Sequence, residues 1–119
     1  MNNNTTYEMQ FDPNQLSNKE EELGIYYSDN DTALDLMKKQ EKMIISELTL
    51  KYQKAKMYKN TTELNALIYS DKKFKDFIQE FEIVLKERNR SKIRYESFRS
   101  FRNDLRTKVV TERELAKHL

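Results

Sequence analysis

Between Arg88 and Arg106 the chain reads RNRSKIRYESFRSFRNDLR, six arginines and one lysine set among Tyr95, Phe98 and Phe101, with only Glu96 and Asp104 opposing them. Guanidinium groups fork onto phosphate oxygens and stack on bases, and aromatic rings offer unpaired bases a flat platform. The mixture therefore has the chemistry of a single-strand contact. Arg88, Arg90, Lys92, Arg94, Arg99 and Arg102 are the candidate phosphate ligands. The same residues also suit a solvated helix face or a subunit contact, because Phe98 and Leu105 keep core spacing.

Other chemistry lacks its parts. A single glycine, Gly24, cannot build a phosphate-cradling loop or a dinucleotide fingerprint, both of which need several glycines to bring backbone amides to phosphate. With no cysteine and one histidine, His118, next to last, zinc clusters and Cys/His nucleophile pairs have neither ligands nor bases. No catalytic residue, metal site or cofactor is expected, and the protein reads as a non-enzyme.

The elements that must position the basic stretch are helices. One glycine and one proline in 119 residues leave almost no loop punctuation, and 35% of the residues are charged. The apolar share of 37% lies below the roughly 45–50% of globular domains, so the core is expected to be thin. No window approaches a membrane span and no basic-then-apolar leader opens the chain, which leads to the expectation of a cytoplasmic protein, in the host cytoplasm if phage-encoded. Charge is uneven: residues 1–35 carry eight carboxylates against Lys19 alone, while residues 36–119 carry 21 basic and 12 acidic residues. A basic body of this kind attracts a polyanion, and an acidic leader can compete for the same surface.

Residues 1–30 read as an acidic, mostly irregular leader with at most a short helix over Asn14–Leu23, and residues 31–119 as one helical domain. Asp29 or Asp31 is the expected N-cap of a helix running to about Lys59. In it Leu36, Met43, Leu50 and Met57 recur every seven residues, while Leu34, Met37, Ile44, Ile45, Leu48, Tyr52 and Ala55 occupy another side. Two apolar sides call for two neighbours, the second expected to be a further subunit. Asn60 with Glu63 writes a capping box for a short helix over about Thr61–Tyr69, and Ser70 or Asp71 caps a long helix read to about Lys108. Phe74, Phe77, Phe81 and Leu85 form its greasy seam, continued by Phe98 and Leu105 and interrupted at Arg88 and Ser91, where a buried unpaired arginine is costly. That turn is expected to face water or an acidic partner. Thr111 with Glu114 writes another possible capping box before the last residues. The expected fold is all-α: two long helices joined by a short one, a helical hairpin or bundle oligomerising through its carboxyl-terminal helix, with Phe74, Phe77, Phe81, Leu85, Phe98 and Leu105 as the contact.

The order QKAKMYKN (53–60), a break, ELNALIYSDKKFKDF (63–77) and then a long helix with a basic carboxyl half resembles the UvsY family, recombination mediators of T-even-type phages. In that family a K-A-R-L-type motif closes an amino-terminal helix and contributes to single-stranded DNA binding. Here QKAKM matches it with Lys54 and Lys56 at the basic positions, the second being Lys instead of Arg. The match covers roughly residues 34–108. It implies a ring-like oligomer that binds single-stranded DNA and the phage recombinase, and helps load the recombinase onto DNA covered by a single-stranded-DNA-binding protein. Residues two apart on a straight helix project about 200° from each other, so Lys54 and Lys56 face one groove only if the helix end frays, and otherwise reach the strand from different sides of an oligomer.

Two functions follow as expectations. The first is a mediator binding single-stranded DNA through Lys54, Lys56 and the arginine-rich region. The second is a helical protein-interaction module, a scaffold or an inhibitor of a host factor, that binds no nucleic acid. A duplex-DNA regulator ranks third because no short helix, tight turn and recognition helix occur in sequence.

Overall fold

Asp12 and Pro13 start the first helix. The structure, a computed structural model, describes residues 12–118. The Asp12 Oδ1 accepts the amides of Asn14 at 2.8 Å and Gln15 at 3.4 Å, and Pro13 occupies the first helical position, where its missing N–H costs nothing. Helix α1 then runs unbroken over Pro13–Ala55, α2 over Thr61–Ser70 and α3 over Lys72–Lys117. The chain is all-α, two long helices joined by a short one, with no strand among the described residues. No helix in that range is long and apolar enough to cross a membrane.

The leader differs from its expected form. From Pro13 onward it is helix, and Asp29 and Asp31 lie inside α1 instead of capping it. The expected irregularity at residues 1–11 lies outside the described residues. The Asp12-Pro13 pair has the chemistry of an N-cap and N1 position, and it starts the helix inside the leader. The carboxyl end also differs: α3 passes through Thr111, whose Oγ1 donates to the Thr107 carbonyl at 2.9 Å, so that threonine bonds back along its own helix and caps nothing.

Both expected inner caps are present. Asn60 Oδ1 accepts the Glu63 amide at 2.9 Å and Glu63 Oε2 accepts the Lys59 amide at 2.8 Å, a capping box whose return bond lands one residue early. The Asp71 Oδ1 accepts the Lys73 amide at 2.8 Å and starts α3.

The chain divides into two units, residues 29–89 and residues 12–28 with 90–118. In the first, α1 and α3 run antiparallel, paired by Asp31 with Arg88, Glu47 with Lys73 and Tyr52 with Asp71. Leu48, Leu64, Ile68 and Phe74 form its core cluster, flanked by Ile44, Ile45, Tyr52, Tyr58 and Ile78. Leu34 and Phe77 are buried too. Of the apolar residues expected at a subunit contact, Phe74 and Phe77 are thus in this unit's own core, with Phe81 and Leu85 half-buried. The Leu36, Met43 and Leu50 side of α1 is left exposed. In the second unit the segments are again antiparallel, Glu20 meeting Arg99 and Arg102 while Tyr27 meets Tyr95 with ring centroids 6.0 Å apart.

The interrupted seam turns inward. Ser91 is 1% exposed, the most buried side chain described, and Arg88 Nε donates to Asp31 Oδ1 at 2.9 Å. A small residue and a paired arginine remove the cost that an unpaired one would carry. The acidic partner expected for this turn is Asp31 of the same chain.

At the turn into α3, Asp71 accepts from the Tyr52 hydroxyl at 2.6 Å and the Lys51 ammonium at 3.1 Å. The Tyr52 hydrogen bond, with the Lys73 amide and Lys51 behind it, lowers the Asp71 pKa to about 2. A depressed folded-state pKa stabilises the fold above the unfolded value, near 3.8, and that contribution disappears as pH falls from there toward 2. Urea midpoints are expected to drop over this window in the parent and to drop less in Asp71→Asn, which keeps the cap but not the charge. Equal acid sensitivity in both would assign the loss to other carboxylates.

Candidate nucleic-acid interface

Four residues of α3, Tyr95, Arg99, Arg102 and Arg106, are spaced 4, 3 and 4 apart and so share one helix face. They form one wall of an open groove of about 640 Å³ whose other wall is α1, with Ser17, Glu20, Glu21 and Gly24. Gly24 permits the close approach: a Cβ added there would lie 3.1 Å from Tyr95 Cε2. The Arg99 guanidinium sits 5.6 Å from the Tyr95 ring centroid, a cation–π distance that holds the side chain over a flat aromatic surface.

Glu20 is already in the groove. Its carboxylate accepts from Arg102 Nη1 and lies 3.8 Å from Arg99 Nε. The Arg102 side chain is 13% exposed and Arg99 57% exposed, so one arginine is held by the carboxylate while the other keeps most of its surface in water. Glu20 thus occupies the space between the two guanidinium groups.

On a second groove of about 570 Å³ Arg94 lies with Lys19, Phe98 and Phe101, the two phenylalanine rings 6.2 Å apart. Arg90 is exposed and Lys92 half-buried. The expected ligands therefore fall into two sets. Arg90, Lys92, Arg94, Arg99 and Arg102 belong to the unit of residues 12–28 and 90–118; Lys54, Lys56 and Arg88 belong to the other. Arg88 is engaged by Asp31 and by Asn89 Oδ1 at 3.1 Å.

Lys54 and Lys56 are exposed, and they do not share a helix. The helix α1 ends at Ala55, and Lys56 takes a left-handed backbone, φ 52°, with its amide bonded to the Tyr52 carbonyl at 3.1 Å. A non-glycine residue closing a helix this way is uncommon, and the bend frees Lys56 from the 200° separation of a straight helix.

Arg106 was not among the expected phosphate ligands and Tyr95 was not aligned with them, although the 95–99–102–106 spacing is present in the sequence. Glu20 had no local signal, since its partner Arg102 lies 82 residues away. Among the described residues no group of three or more His, Cys, Asp or Glu side chains could hold a metal ion. The chain matches no protein-family model, no curated protein and no solved structure.

Proposed function

We propose that the chain is a non-enzymatic helical protein that binds single-stranded nucleic acid along α3, with Tyr95, Arg99, Arg102 and Arg106 as the central contact and Arg90 and Arg94 beside it. The observation that carries this reading is the alignment of one aromatic ring and three guanidinium groups on one face of an open groove. A groove of this kind tracks a backbone by charge and takes bases by stacking, and neither needs sequence readout or catalysis. The resemblance to UvsY-like mediators extends the proposal to loading a phage recombinase in place of a single-stranded-DNA-binding protein, with Lys56 as a further strand contact. A labelled single strand challenged with an equal-length duplex tests the preference. Retention of the strand supports the proposal, and displacement by the duplex counts against it.

Glu20 supplies a sharper test. Its pairing is partly exposed and worth about 0.5–1 kcal/mol, so Glu20→Gln is expected to tighten strand binding by roughly two- to fivefold as the arginines lose a competitor. Unchanged or weaker binding in anisotropy titrations would remove Glu20 from the site.

A second reading, a protein-interaction module acting as scaffold or inhibitor of a host factor, is favoured by one feature: Arg88 and Arg102 already answer carboxylates of their own chain. Recovery of one host protein after nuclease treatment, with no strand affinity at moderate salt, would favour it.

A further inference from the structure

We infer that the exposed side of α1 carrying Leu36, Met43 and Leu50 is the seam on which a second copy of this chain docks antiparallel, a conclusion independent of what the arginine groove binds. These three side chains are 54%, 62% and 58% exposed, although they are large and apolar and recur at heptad spacing. Each heptad on an α-helix drifts by about 20°, so all three stay within a narrow stripe. The inward side of the same stretch, Leu34, Ile44, Ile45, Leu48 and Tyr52, is already used within the unit.

Only six apolar residues are buried among those described, so a further helix contact would add substantially to the core.

The pattern of the stripe selects its occupant. Leu36 and Leu50 lie seven residues on either side of Met43, so a twofold axis at Met43 puts Leu36 of one copy against Leu50 of the other and Met43 on itself. An isologous contact requires this self-complementarity. The same axis brings charges into register. Asp29 lies about 21 Å before Met43 along the helix and Lys54 about 16 Å after it, at 1.5 Å per residue, which leaves the two opposite charges of different copies about 5 Å apart axially. Both residues are exposed and on the Met43 side of α1. Lys39 falls opposite Glu47, and Gln40 opposite Ser46, so no like charges meet. Parallel pairing would instead set Asp29 against Asp29. In the antiparallel seam Lys54 answers Asp29, which leaves Lys56 as the member of the QKAKM pair directed to the strand.

The absence of cysteine makes the test direct, because introduced thiols are the only ones in the chain. Full-length Leu36→Cys, carrying an affinity tag, is mixed with untagged Leu50→Cys under mild oxidation. The expected product is the tagged–untagged disulfide, with Met43→Cys linking to itself and Leu36→Cys alone giving little dimer. In sedimentation of the unlinked protein, Asp29→Lys is expected to weaken association, and the pair Asp29→Lys with Lys54→Asp to restore it. All five positions are exposed, and far-UV circular dichroism confirms that each variant folds. Self-linking of Leu36→Cys as fast as the mixture would mean a parallel seam and overturn the inference. So would a monomer at about 100 μM with no cross-link in any combination, or a dimer insensitive to Met43→Glu.

Discussion

Replacing Leu48 with alanine is expected to cost about 2–5 kcal/mol of folding stability, whereas Leu50→Ala, two residues along the same helix, is expected to stay within about 0.5 kcal/mol in the monomer. Leu48 is 3% exposed and packs with Leu64, Ile68 and Phe74, while Leu50 is 58% exposed. Leu48 joins all three helices of its unit: Leu64 and Ile68 are the buried anchors of α2, and Phe74 is the first large apolar residue of α3. Truncation leaves a cavity where three elements meet, so the loss includes cavity and transfer terms together. A small domain is stable by only about 5–15 kcal/mol, and this change removes a large share of that. Urea titrations of both variants decide the matter. A loss under about 1 kcal/mol for Leu48→Ala would mean that α2 is not docked as described.

Reversing two exposed arginines, Arg99→Glu with Arg106→Glu, is expected to weaken single-strand binding on the order of 100-fold at low salt. Arg102 is left in place because it holds Glu20, and its loss would confuse a binding defect with a helix-packing defect. Each phosphate contact on a single strand contributes about 0.7 to the slope of log affinity against log salt, so removing two should flatten that slope by about 1.4. Lys72→Glu with Lys75→Glu, the same charge change at exposed positions of the other unit, is the control. An equal loss there would mean that net charge, and not the groove, sets affinity.

Much of the fold could be read locally. Scarce glycine and proline, together with the caps at Asn60 and Asp71, locate three helices because each cap depends on residues within three positions of it. What pairs at long range could not be read this way. Periodicity separated the Leu36 side of α1 from the Leu48 side, but only packing against α2 and α3 decides which one is buried. At Arg88 and Ser91 the choice between water and an acidic partner stayed open, because the carboxylate that answers Arg88, Asp31, is 57 residues away. Gly24 sits inside a helix, where the Tyr95 ring, 71 residues away in sequence, occupies the space a side chain would need. The site followed the same division: the arginines and rings were legible as a composition, and their alignment into one groove with Glu20 is tertiary.

The most direct measurement is anisotropy of a labelled single-stranded oligonucleotide titrated with the full chain over a salt series. Tight binding at low salt is expected, with affinity falling steeply as salt rises and the fall becoming shallower in Arg99→Glu with Arg106→Glu. Absence of binding at low salt, or binding indifferent to salt and to both arginines, would contradict this expectation and leave the basic face of α3 as a contact for protein.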